Sequence, residues 1–202
     1  MKTWSKREWI TYIIEYIAFD KSIQSLNIDH IDLSRVDFSE LRADGLSAVK
    51  TNLEAALFIN CSLLDCDFSE ANLKNADFSY SDLADCQFND TNLHAANMLS
   101  SKINISMGFH TCFDQANLSN AELIGSSFNF STFRFANLSG VFAQKASFIN
   151  VDLTGAILKN GNFEGADFTN AILKDVDWTG AEIPNAIFDP NIAALISENK
   201  NI

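Results

Sequence analysis

Residues 66–90 read CDFSE ANLKN ADFSY SDLAD CQFND, and cut into fives they align without a gap. The third residue of each group is large and apolar: Phe68, Leu73, Phe78, Leu83 and Phe88. The first is small: Cys66, Ala71, Ala76, Ser81 and Cys86. The remaining three positions are mostly polar. A helix repeats its apolar face every 3.6 residues and a half-buried strand every two, so neither produces a period of five. The pattern fits a chain that turns a corner after each short extended piece. One large and one small side chain then point inward per side, and the rest face water.

The same register extends in both directions, from Ile28 to Phe188, and never slips. Only Ala43, Ala48, Gly108 and Ala143 replace the large residue. The earliest groups differ in their first position, where Leu26, Ile31, Val36, Leu41 and Leu46 stand in place of small residues. Two stretches depart from the pattern: 39–50, which reads as a local bulge, and 99–111, which contains Gly108.

The groups Ala71-Asn72-Leu73, Ala76-Asp77-Phe78, Ala116-Asn117-Leu118, Ala136-Asn137-Leu138 and Ala166-Asp167-Phe168 carry the motif A(D/N)Lxx. In this the chain resembles the pentapeptide-repeat family over residues 26–188. The resemblance implies an all-β fold, a right-handed quadrilateral β-helix with four pentapeptides per coil. Residues 20 apart should then stack. One side would collect Phe68, Phe88, Phe128, Phe148, Phe168 and Phe188, and the next Leu53, Leu73, Leu93, Phe113, Phe133, Leu153 and Leu173. About eight coils at ~4.8 Å each make a rod roughly 40 Å long. Each buried Leu or Phe contributes ~1.5–3 kcal/mol.

A solenoid exposes apolar edges at both ends and needs covering there. The sequence divides into an N-terminal capping helix in residues 1–25, the β-helix in 26–188, and a C-terminal helix and tail in 189–202. Residues 3–20 read as a helix whose Ser5 and Glu8 form a capping box. Its broad apolar arc either lids the first coil or binds a partner. Asp189-Pro190 opens a second short helix. Its Ile192, Leu195 and Ile196 either cover the last coil or form a homodimer contact, as resemblance to gyrase-protecting members implies.

Lys and Arg number 14 against 26 Asp and Glu, a net charge of −12. That balance argues against direct nucleic acid or anionic membrane contact and allows attraction to a basic protein surface. Cys61, Cys66, Cys86 and Cys112 match neither a CxxC metal pattern nor a small disulfide framework. Cys66 and Cys86, one coil apart at the small inward position, read as packed thiols. His110 and Cys112 alone make no metal site. No P-loop, GxGxxG or GxSxG occurs, so the expectation is no enzyme, no cofactor and no metal. Met1 to Phe19 superficially mimics a signal peptide, but Glu15 interrupts its apolar run, and a cytoplasmic location is expected.

Function is therefore sought on the outside. Asp65 stacks under Asp85 and Glu70 under Asp90, which with Asp67 and Asp82 give acidic columns at ~4.8 Å. Duplex DNA presents a charge per ~1.7 Å of axis, so such columns could imitate it coarsely. The acidity could equally serve solubility. Family members that resemble DNA in shape and charge bind type II topoisomerases such as DNA gyrase and protect or inhibit them, which makes quinolone resistance an implied role here. Those members often carry projecting loops, and none interrupts this register. Met107, Phe109, Phe130 and Ile149 map to one side around Gly108. Either they form an apolar patch, or Phe109 folds inward to fill the space. A general interaction scaffold using the N-terminal helix or this irregular middle is the alternative function.

Overall fold

The computed structural model describes residues 5–18, 26–190 and 192, excepting the side chains of residues 13, 14 and 16–18. Parallel bridges run from Asn27–Ser47 to Asp167–Ile187, and each joins residues 20 apart. Four pentapeptides therefore make one coil, and no insertion shifts the register between 27 and 187. We number the four sides by their inward columns. Face 1 carries the column through Phe68 and Phe88, face 2 that through Leu73 and Leu93, face 3 that through Phe58 and Phe78, and face 4 that through Leu63 and Leu83.

The corners explain the period. At most of them a backbone N–H closes a four-residue turn, as when Ala76 donates to the Leu73 carbonyl at 3.0 Å. At a few the N–H turns to a serine of the next coil, as Cys61 does to Ser81 Oγ at 2.8 Å. The fifth residue of every group from His30 to Asn185 has positive φ. A single positive φ at the third turn position is the type II signature. The corner N–H is then free to reach the next coil, and Asn75 donates to the His94 carbonyl at 3.0 Å. The preference for Asp or Asn at the second position has a separate cause. The Asp77 carboxylate accepts the Ser79 N–H at 2.8 Å, an Asx turn that braces the corner. Its Oδ1 also accepts from the Asn97 side chain one coil on, at 3.1 Å.

Inside, the large residues from Ile28 to Phe168 are fully buried. The face 1 column stacks as expected, Phe68 on Phe88 at 5.5 Å and Phe148 on Phe168 at 5.2 Å, with rings nearly parallel. Face 3 holds a second ladder that the sequence reading did not pick out. Phe38, Phe58 and Phe78 stack at 4.6 and 4.7 Å, tilted by 1° and 3°. Rings from the opposite faces 1 and 3 meet edge-on across the interior, Phe58 and Phe68 at 80°. Offset and edge-on contacts are the geometries the ring quadrupole favours.

Residues 39–50 are not a bulge. Arg42 bridges Ser62, Ser47 bridges Asp67, and the corners Glu40, Gly45 and Lys50 keep positive φ. The reason is a volume exchange: Leu41 and Leu46 are buried two residues before the small Ala43 and Ala48. Gly108 is likewise in register and buried, bridged through its neighbour Met107 to Ser127.

Helix α1 spans Lys6–Ala18. It begins after Ser5, whose Oγ accepts the Glu8 N–H at 3.3 Å while Glu8 accepts the Ser5 N–H at 2.7 Å. The Lys6 ammonium reaches the first coil, 2.6 Å from the Ser34 carbonyl. Trp9, Ile10 and Tyr12 are half-buried against the core. At the other end, Leu173, Trp178, Ile183 and Phe188 are only partly buried. Pro190 and Ile192 are helical, and Ile192 N–H donates to the Asp189 carbonyl at 2.9 Å. Leu195 and Ile196 lie outside the described residues.

Candidate partner-binding surface

The six acidic residues singled out in the sequence occupy two kinds of position. Asp67 and Asp82 stand second in their groups and brace their own turns. Asp67 Oδ1 accepts the Ser69 N–H at 2.9 Å, and Asp82 Oδ1 the Ala84 N–H at 3.3 Å. Asp65, Glu70, Asp85 and Asp90 stand at corners with φ between 56° and 63°, and all four are exposed. Turn bracing does not occupy these four carboxylates, which project where a partner could meet them.

Geometry separates them further. Asp65 and Asp85 follow one another along one edge of face 1, and Glu70 and Asp90 along its other edge. Asp67 lies between the two. Asp82 lies on face 4 instead, beside a groove of about 290 Å³ lined in part by Arg42, Ser62, Tyr80 and Lys102. Lys50 pairs with Glu70 at 3.2 Å, both half-exposed. Such a pair contributes about 0–1 kcal/mol. It also offsets one charge at the foot of that edge.

Met107, Phe109, Phe130 and Ile149 all fall on face 1, above the acidic residues. Met107 and Phe130 are 42% and 51% exposed, while Phe109 and Ile149 are half-buried. Phe109 does not fold inward. Its N–H donates to Asn89 Oδ1 at 3.0 Å, and the ring of Phe128 fills the space beside Gly108. The Phe130 N–H donates to the Ile149 carbonyl at 3.0 Å, and its ring lies 5.4 Å from that of His110.

Sequence reasoning missed Ile105, which is 67% exposed at the corner directly above Asp85. Its N–H donates to the carbonyl of Ile124, also exposed. A detectable signal was present: a β-branched residue in the fifth position, where left-handed backbone favours Gly or Asn.

Three of the four cysteines are packed in the interior, and Cys112 is half-exposed. Cys61, Cys66 and Cys86 are free and buried, and the Cys86 thiol donates to the Leu63 carbonyl at 3.0 Å. Burial pushes the Cys61 thiol up to about 12 and that of Cys86 well above its ordinary value. Among the described residues, no three His, Cys, Asp or Glu side chains are grouped to hold a metal ion. None of the described helices is long and apolar enough to cross a membrane.

These coils define a right-handed, four-sided parallel β-helix. The chain belongs to the pentapeptide-repeat family: the family profile, Pentapeptide repeats, matches in eight copies over residues 31–75, 51–90, 71–103, 111–148 and 146–182. Among solved structures, a trypsin-treated variant of QnrB1, a plasmid-mediated fluoroquinolone resistance protein, is similar. It shares 20% identity, with 90% of this chain and 89% of that one covered and a TM-score of 0.51. HetL, a pentapeptide repeat protein involved in heterocyst differentiation regulation in the cyanobacterium Nostoc, shares 24% identity over 86% of this chain and 96% of its own, with a TM-score of 0.40. No curated protein matches in sequence.

Proposed function

We propose that this chain is a non-enzymatic protein-binding module, an acidic mimic of duplex DNA that engages a type II topoisomerase such as DNA gyrase and protects or modulates it. The observation that carries this reading is the pair of corner columns, Asp65 with Asp85 and Glu70 with Asp90, on opposite edges of one face. Successive charges along each edge are ~4.8 Å apart, on an unbroken rod within a chain of net charge −12. Likeness in fold to a fluoroquinolone resistance protein supports the same direction. Because no loop projects from the repeat, contact would be made by the faces and ends. Residues 1–25 would cap the rod of 26–188, and the segment 189–202 would pair two copies through Ile192, Leu195 and Ile196. The reading places the protein in the cytoplasm, without direct nucleic acid or membrane contact.

The test is a gyrase supercoiling assay with and without quinolone, run with the wild-type chain and with Asp65→Lys/Asp85→Lys. Wild-type protein should shift the activity or its quinolone sensitivity, and the variant should lose that effect. An enzyme indifferent to the wild-type chain under both conditions would rule the reading out. The exposed apolar residues Met107 and Phe130 favour a second reading, a general interaction scaffold.

A further inference from the structure

Face 1 changes character partway along the rod. Its lower part carries Asp65, Asp67, Glu70, Asp85 and Asp90. Its upper part carries Ile105, Met107, Phe109, Phe130 and Ile149. The two parts share an edge, since Asp85 and Ile105 are successive residues of one corner column. Asp90 N–H also donates to the Phe109 carbonyl at 2.8 Å. From Asp65 to Ile149 the footprint covers about four coils, or roughly 20 Å.

Stability does not explain the apolar part. Ile105 and Phe130 have φ of 60° and 62°. Bulky and β-branched side chains are disfavoured there. Both are more than half exposed, so burial returns little. The fold accepts better residues in the same columns, since Gly125 follows Ile105 and Asn150 follows Phe130, each with positive φ. Two strained, water-facing apolar side chains flank the exposed Met107, at the border of an acidic field.

We propose that face 1 between Asp65 and Ile149 is a single docking surface for a protein segment that carries a basic cluster next to an apolar anchor. The basic cluster lies over Asp65, Asp85 and Asp90, and the anchor packs on Ile105, Met107 and Phe130. Charge complementarity selects this occupant. A second copy of the chain would add a further net charge of −12, and a nucleic acid would meet like charge along the whole lower part. The inference rests on the protein-binding half of the reading above and not on the identity of the topoisomerase.

The probe is a fluorescently labelled synthetic peptide with a lysine cluster followed by phenylalanine and leucine, titrated by anisotropy at low salt. Two control peptides replace either the lysines or the apolar residues with serine. Ile105→Asn/Phe130→Asn should weaken binding by about ten-fold or more, the loss expected of a contact at the centre of an interface, while the melting temperature holds or rises. Asp65→Asn/Asp85→Asn should weaken it comparably and flatten its salt dependence. Glu164→Gln/Glu182→Gln, on face 4, should leave it unchanged. Three outcomes overturn the proposal: no binding by the two-part peptide, unchanged affinity in Ile105→Asn/Phe130→Asn, or an equal loss in the face 4 variant. No topoisomerase enters this assay, so its failure is separable from failure of the gyrase reading.

Discussion

Phe128 occupies the space that a side chain at Gly108 would need. A Cβ on Gly108 would lie 2.9 Å from Phe128 Cδ1 and 2.8 Å from Thr111 Oγ1. The displaced ring stands tilted by 31° from Phe148, where other face 1 pairs are parallel. Restoring the repeat with Gly108→Leu should therefore destabilise, by about 1–3 kcal/mol for overpacking. Phe128→Ala alone should cost about 3–5 kcal/mol. Combined, the two should cost clearly less than their sum, because each relieves the other. Denaturant titrations of the four proteins give the coupling, and strict additivity would show the two sites to be independent.

Phe58 is stacked on both sides, between Phe38 and Phe78. Truncation to Ala leaves a hole in the centre of a ladder and removes three ring contacts, the third being the edge-on one with Phe68. We expect a loss of about 3–5 kcal/mol, measured by thermal or chemical unfolding. A loss below about 1 kcal/mol would mean that face 3 can collapse around the gap.

Cys61 keeps its proton because burial disfavours the thiolate, raising its value from 9.0 to about 12. An unfolded chain releases that proton near pH 9, whereas the folded chain holds it. Stability is therefore complete below that range and falls as pH rises from about 9 towards 12. Maleimide should modify the half-exposed Cys112 well before Cys61, Cys66 or Cys86. Equal rates in the native protein would contradict the packing.

Asp177 accepts the Thr179 hydroxyl at 2.7 Å and pairs with Lys159 at 3.0 Å, which lowers its carboxyl from 3.8 to about 2. The contribution of this group is present above the ordinary carboxylate range and fades as pH falls from about 4 to 2. Carboxyl chemical shifts followed by NMR should give a midpoint near 2. Thr179→Val should raise it.

Much of this fold was legible because one physical constraint repeats. Every coil needs the same inward pair and the same corner, so Phe68, Leu73 and Phe78 fix the register for the whole chain. Spacing does not report side-chain volume, however. Ala43 reads as a break by spacing alone, yet the buried Leu41 supplies the volume it lacks, and at Gly108 the ring of Phe128 from the following coil does so. The candidate site was harder. The sequence pointed to acidic residues as one set, yet turn-bracing Asp67 and Asp82 differ from the corner residues Asp65 and Asp85, a distinction made by hydrogen bonds. Ile105 was overlooked because its meaning depends on backbone dihedral, which composition does not display.

Mimicry is tested most directly by competition. Gyrase, a labelled DNA duplex and increasing amounts of this protein would be combined at several salt concentrations, and bound DNA measured. If the acidic edges stand in for phosphates, DNA should be displaced completely and more weakly as salt rises. Asp65→Lys/Asp85→Lys should displace little. A stable complex holding enzyme, duplex and this protein together, or displacement undiminished by that charge reversal, would contradict the account.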